Sequence, residues 1–201
     1  FMRPQDPKCS TENLREALRV LEPEGIKGIT ELSQENMRSE FPRLFGHNLT
    51  PDSPPYETQH GSVHIFWQSQ QLADITGFYR AFGLELKGTA HERVDHIAVE
   101  LEFMSYLALK EAYARLPRNP RGGQAMKQMN PVNLEISQDA QRKFLKDHLG
   151  KWIKSFSDCI QKKLPASTYA RAADFLARFI TWDCQRLGIR PEPLLFNEKA
   201  E

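Results

Sequence analysis

Glu92, His96 and Glu100 recur at four-residue spacing, so a helix through this stretch would put all three on one face. Carboxylate and imidazole groups together suit metal ligation or general acid–base chemistry. A di-metal site in a helical bundle needs Glu-x-x-His pairs from partner helices and further Glu ligands. Nothing downstream supplies them, because Asp147-His148 sits on an otherwise aromatic stripe. Glu92 also reads as the last residue of a capping box, Thr89-x-x-Glu92. No metal, cofactor or catalytic residue is therefore assigned, and a metal-dependent helical enzyme stands only as a minor alternative. The chain has no GxxxxGK[ST], GxGxxG, GxSxG or HExxH motif, and no nucleophile–base pair stands out. Gly122-Gly123 is a bare pair in a loop. Cys9, Cys159 and Cys184 form no CxxC pair and no zinc spacing, which fits a reducing compartment.

These side chains need elements to position them, and the apolar spacing is helical throughout. Ser10–Glu22 puts Leu14, Leu18 and Leu21 on one face. Ser33–Phe45 is expected to be helical, kinked or shortened at Pro42. Gly46–Gly61 is a proline loop. Val63–Gly83 reads as a helix with Gly83 at its end. A strongly apolar helix is expected from about His91 to Arg115, with Ile97, Leu101, Met104, Ala108 and Ala112 along its stripe and Val99, Phe103, Tyr106 and Leu107 widening it. Leu116–Ile136 holds three prolines and two glycines and is the hinge candidate. Ser137 then caps a helix to about Lys163, with Phe144, His148, Trp152, Phe156 and Ile160 every fourth residue. Ser167 caps the last helix, whose inner face holds Tyr169, Ala173, Leu176, Phe179, Ile180 and Leu187. No strand series or repeat is visible, so the reading is an all-α, single-domain helical bundle over 1–201.

The 201 residues carry 27 Lys+Arg against 26 Asp+Glu, a net charge of +1, which excludes a nucleic-acid electrostatic sink. The balance hides an asymmetry: residues 1–116 hold 12 basic and 17 acidic groups, and residues 117–201 hold 15 and 9. Either these are solvated helix faces, or the first half offers carboxylates to a cationic ligand. Apolar stretches are too short to span a bilayer, so no membrane insertion is expected. Phe1–Lys8 has no long apolar core, so no secretory signal is expected either.

Four ordered segments make the chain resemble the TorD/DmsD/NarJ family of redox-enzyme maturation chaperones. They are Pro54-Pro55-Tyr56-Glu57-Thr58, Leu72-Ala73-Asp74-Ile75-Thr76-Gly77-Phe78-Tyr79-Arg80-Ala81-Phe82-Gly83-Leu84, Glu92-Arg93-Val94-Asp95-His96-Ile97-Ala98-Val99-Glu100-Leu101-Glu102-Phe103-Met104, and His148-x-x-x-Trp152-x-x-x-Phe156. The resemblance implies an all-helical cytoplasmic chaperone without turnover. Its partner is the apo catalytic subunit of a molybdopterin oxidoreductase, often recognised through a twin-arginine signal peptide before export. It ties Asp95-His96 to peptide binding and puts Phe78, Tyr79 and Phe82 nearby. Two features depart from the pattern: Val94 stands where the family often has Pro, and Phe1–Pro4 looks like only the tail of the usual first helix, so upstream sequence is expected.

A receptor for such a peptide needs carboxylates in fork geometry beside an apolar groove. Asp95, Glu100 and Glu102 are the carboxylate candidates, though Glu102 follows Asp95 by seven while Glu100 goes with His96. Each is otherwise a surface charge or a helix-start charge. His96 either donates to the peptide or is a structural histidine. Tyr56 and Glu57 complete the candidate set; otherwise Tyr56 packs the loop and Glu57 caps a helix or binds an Arg. Phe78, Tyr79 and Phe82 are core on one side. Asp95→Ala and His96→Ala are expected to weaken binding and leave the fold intact. The rival reading is a NarJ-like assembly factor for a signal-less subunit. If Leu116–Ile136 extends, the last two helices could swap between protomers to form a dimer; otherwise the chain is a monomer.

Overall fold

The computed structural model describes residues 34–46, 53–61, 65–86, 92–115, 131–192 and 194. Helix α1 spans Gln34–Phe45 and α2 spans Ile65–Ala81, with a 3₁₀ turn at Glu57–Gln59 between them. Helix α3 is Ile97–Arg115. Helix α4, Pro131–Phe144, runs through a π-helical turn, Leu145–Leu149, into α5, Gly150–Lys163. Helix α6, Thr168–Arg186, closes the order. No strand occurs among the described residues, and the all-α expectation holds. No helix among them is long and apolar enough to cross a membrane.

The core is aromatic at its centre. Phe103 of α3 and Phe144 of α4 meet at 4.9 Å, and Tyr79 of α2 meets Phe103 at 4.9 Å. Leu149 of the π turn and Trp152, Ile153 and Ile160 of α5 extend this core, all fully buried. Helix α3 packs on α4, α5 on α6, and α1 on α6. Ser167 caps α6 as expected, its Oγ accepting from the Ala170 amide at 3.0 Å. Glu40 of α1 reaches the same helix start, accepting from the Thr168 and Tyr169 amides at 3.1 and 3.3 Å.

Several boundaries move for physical reasons. Helix α3 begins at Ile97 rather than His91, so Glu92 precedes it and cannot complete a capping box. Its buried stripe is Val99, Phe103 and Leu107, joined by Glu100, Met104 and Glu111, while Ala108 is exposed. Two carboxyls occupy inward positions, so counting apolar residues alone turns the helix the wrong way. Helix α4 begins at Pro131, where a missing amide hydrogen costs nothing, and Ser137 lies buried inside it. Pro42 does not end α1, which continues to Phe45. On α6 the buried face is Ala170, Ala173, Ala177, Ile180, Asp183 and Cys184. Tyr169, Leu176, Phe179 and Leu187 lie on its partly buried flanks. Small residues at the contact let the α6 backbone approach closely. The expected helix Ser10–Glu22, residues 116–130 of the expected loop with Gly122-Gly123, and any helix exchange through it fall outside the described residues, whereas 131–136, also expected in that loop, are helical in α4.

The π turn sets the register of α5. A side chain at Gly150 would collide with the Leu145 carbonyl oxygen and come within 2.8 Å of the Pro191 ring, so this junction needs glycine. Gly83, with φ of 68°, supplies the left-handed residue just past α2.

Candidate functional site

The residues singled out by type converge where the proline loop meets the turn before α3. The Glu57 amide donates to the Asp95 carbonyl at 3.0 Å and the Ile97 amide to the Pro55 carbonyl at 2.9 Å. These two bonds zip the segments together as an isolated antiparallel bridge at Tyr56 and His96.

Asp95 is fully buried and saturated with donors. Its Oδ2 accepts from the Thr58 amide at 3.2 Å and the Thr58 hydroxyl at 2.8 Å. Arg93 forks onto both oxygens, Nε to Oδ1 at 3.0 Å and Nη2 to Oδ2 at 2.9 Å. A buried carboxylate needs such compensation. The Arg93 guanidinium also lies 4.8 Å from the Tyr56 ring centroid, a cation–π contact. Asp95 therefore acts as an internal brace, and Asp95→Ala is not a silent change: it strips four hydrogen bonds, two of which tie the proline loop to the turn.

His96 caps α3. Its Nδ1 accepts from the Ala98 amide at 3.1 Å, which leaves Nε2 as the protonated nitrogen, 3.9 Å from Glu92 Oε2. Burial holds its pKa below the usual histidine range, against the opposing pull of Glu92 and Asp95. The Tyr56 ring stands edge-on to it at 5.3 Å, and the Tyr56 hydroxyl reaches Glu92 at 3.4 Å. Glu92 and His96 precede α3 and Glu100 faces the core, so the three do not form one helical face. No group of three metal-ligating side chains occurs among the described residues.

Glu57 and Glu100 are buried side by side with His148 and Trp152. His148 Nδ1 lies 3.1 and 3.2 Å from the two Glu57 oxygens. Its Nε2 lies 3.2 Å from Oδ2 of the surface residue Asp74 on α2. Trp152 Nε1 donates to Glu100 Oε2 at 3.1 Å, while Glu100 Oε1 has no donor among the described residues. Burial raises the Glu100 pKa well above the carboxylate range, and the neighbouring Glu57 carboxyl raises it further, against the pull of Trp152. His60 anchors the loop to α5, its Nε2 donating to the Pro54 carbonyl at 2.7 Å and its Nδ1 meeting Ser155 Oγ at 3.0 Å.

The aromatic candidates divide. Tyr79 is buried and its hydroxyl donates to the Val94 carbonyl at 2.9 Å; burial raises its pKa. Phe78 is half-buried against Phe144 at 5.3 Å and His148 at 5.5 Å. Phe82, half-buried, packs on Phe103 at 5.8 Å. Glu102 is half-buried on the flank of α3. The structure thus brings Tyr56, Glu57, Asp95, His96 and Glu100 together, with Tyr79 beneath them. It buries Glu57, Asp95 and Glu100, which a peptide was expected to meet, half-buries Glu102, and leaves Glu92 and Asp74 exposed around them.

Residue-by-residue reading missed Arg93, Thr58, Asp74 and the polar roles of His148 and Trp152. The available signal was two polar handles, an imidazole and an indole N–H, on a stripe otherwise fit for core. It also missed the exposed rings of Phe66 and Trp67 at 63% and 56%, which meet at 5.9 Å. They stand beside the proline loop, because Gln68 Nε2 donates to the Thr58 carbonyl at 3.1 Å. A surface groove lies elsewhere, along α5, lined by Lys151, Lys154, Ser155, Asp158, Cys159, Lys162 and Leu194.

Comparison with known proteins agrees with this motif set. The model of a family described as "Nitrate reductase delta subunit" matches residues 6–158. The perchlorate reductase assembly chaperone protein of Dechloromonas aromatica is 28% identical over 151 residues, covering 74% of this chain and 60% of that protein. The chlorate reductase assembly chaperone protein of Ideonella dechloratans is 31% identical over 121 residues, covering 60% and 55%. Chaperone protein TorD of Photobacterium profundum is 23% identical over 153 residues, covering 76% and 64%. The matched stretches span a little over half the length of these relatives. With the family match running from before α1 into α5, the chain belongs to the nitrate reductase delta subunit family, the group that includes TorD.

Proposed function

We propose that this chain is an assembly chaperone that binds the apo catalytic subunit of a molybdopterin oxidoreductase in the cytoplasm. It works by reversible binding and transforms nothing. The observation that carries the reading is the family match over 6–158, joined by relatives whose names agree on reductase assembly. The contact is made through the client's signal peptide, and the peptide-binding region is the surface around Tyr56 and His96.

The physics of this surface supports the reading. Phe66 and Trp67 offer apolar area, and burying such area is worth about 25 cal/mol per Å² before association costs. Asp74 and Glu92 present carboxylates to guanidinium groups. Asp95, Glu57, Glu100 and Tyr79 act from below, holding the loop and turn in place. Phe78, Phe82 and Glu102 line the flanks.

Titration calorimetry with a twin-arginine peptide tests the reading, with Asp74→Asn, Glu92→Gln and His96→Ala as variants. Binding that weakens about tenfold in Asp74→Asn or Glu92→Gln, and again when both peptide arginines become Lys, is the expected result. Equal affinity for the Arg and Lys peptides favours a signal-less client. A pull-down from the native cell that retains no molybdopterin subunit would sink the chaperone reading.

A further inference from the structure

Glu100 presents a problem in hydrogen-bond accounting. Its carboxyl is fully buried, one oxygen takes the Trp152 indole N–H, and the other has no donor among the described residues. An orphaned buried carboxylate oxygen is costly and rare in native interiors. The Glu57 carboxyl, buried beside it, acts on it directly and only accepts when ionised.

The other groups around the pair are committed. From the turn before α3, Asp95 is neutralised by Arg93 and holds Thr58 of the loop. From α2, Tyr79 gives its hydroxyl hydrogen to Val94, and Asp74 takes His148 Nε2. From the π turn, His148 Nδ1 faces Glu57 itself. From α5, Trp152 already serves the other Glu100 oxygen, and the His60 ring nitrogens are taken by Pro54 and Ser155. Glu102 on α3 brings a further negative charge. Among the described residues, a hydrogen shared between the two carboxyls satisfies both, and the complete burial of Glu100, with its single indole donor, favours placing it there.

We propose that Glu100 carries a proton at neutral pH and donates it to Glu57, forming a buried acid–carboxylate pair that clamps the proline loop to α3. The clamp is a proton-binding site spanning two segments 43 residues apart in sequence. His148 connects it to Asp74 at the surface, so one line of contacts runs from α3 through the loop and the π turn to α2. Removing the proton sets two like charges against each other in the interior, and the relief is for the loop carrying Tyr56 to lift from α3. Loop placement is therefore sensitive to pH, whatever the client is.

Difference infrared spectroscopy of the whole chain at pH 7 tests this directly. A protonated-carboxyl stretch is expected in wild type and absent in Glu100→Gln. Urea unfolding from pH 5 to 9 gives the second readout. The folded state holds one proton that the unfolded chain has lost, so in wild type this group raises the unfolding constant by about tenfold per pH unit until the folded pair ionises. Glu100→Gln, which mimics the protonated acid, is expected to remove that one-proton slope and to be the more stable form at pH 8. Glu57→Gln removes the acceptor charge and is expected to lower the pH at which the stretch disappears. A wild-type spectrum without the stretch at pH 7, or a Glu100→Gln slope equal to wild type, overturns the proposal. If Glu100→Gln does not fold, the wild-type pH titration of the stretch and the Glu57→Gln shift decide it.

Discussion

Helix α3 buries two carboxyls about three turns apart, and they are treated in opposite ways. Glu111, near the C-terminal end, accepts from Gln138 and Gln141 at 2.8 Å each and from Arg115 at 2.8 Å. Burial works against its charge, yet these donors outweigh it and lower its pKa. Glu100, near the N-terminal end, has one donor and a neighbouring carboxyl, and its pKa goes up. Burial is common to both, so it does not decide the outcome. The supply of hydrogen-bond donors does. One end of α3 is a fixed polar weld to α4, and the other is a titratable contact with the proline loop.

Asp95→Ala should produce the largest loss, because this third buried carboxyl is the most generously supplied. Leaving the Thr58 amide and hydroxyl without an acceptor and Arg93 without its partner is expected to cost about 3 kcal/mol in urea unfolding. A loss below about 1 kcal/mol would mean that donors do not set the hierarchy. Glu111→Ala comes next, at about 2 kcal/mol by the same measurement, because Gln141 is buried and loses its acceptor.

The two ends should also separate with pH. Glu111 has a depressed folded pKa, so its stabilisation is present above the unfolded carboxylate value and lost as pH falls through the folded one. Glu100 has a raised folded pKa, so its contribution is present below the unfolded value and lost as pH rises through the folded one. Thermal unfolding scans should therefore show an acid limb that vanishes in Glu111→Gln and an alkaline limb that vanishes in Glu100→Gln. Both limbs persisting in both variants would erase the contrast. The smallest effect is expected for Arg115→Ala, below about 1 kcal/mol, because that side chain is mostly exposed and its ion pair is screened.

Much of the scaffold was legible from spacing. The Ser167 cap, the Gly83 stop and the Phe144–Ile160 stripe follow from local rules that the structure respects. The polar interior was not, because its partners lie far apart in sequence. Asp95 meets Thr58 across 37 residues, Trp152 meets Glu100 across 52, and His148 meets Glu57 across 91. Placing the helix start at His91 added a further error: it assigned Asp95, His96 and Glu100 to faces of a helix that begins only at Ile97. The structure brings Tyr56, Glu57, Asp95, His96 and Glu100 of the motifs together, while their burial depends on contacts that no local pattern encodes.

The widened turn at Leu145–Leu149 has a consequence for how this chain tolerates change. It seats one more residue than an ordinary turn would. Closing it to ordinary winding with every residue kept would rewind α5 by about 100° about its own axis. The imidazole of His148 and the indole of Trp152 would swing off their acidic partners together, while the α5 backbone stayed whole. A change of winding at this point is thus a coordinated disconnection of the interior wiring, and Gly150 is the side-chain-free position that lets the wider winding exist.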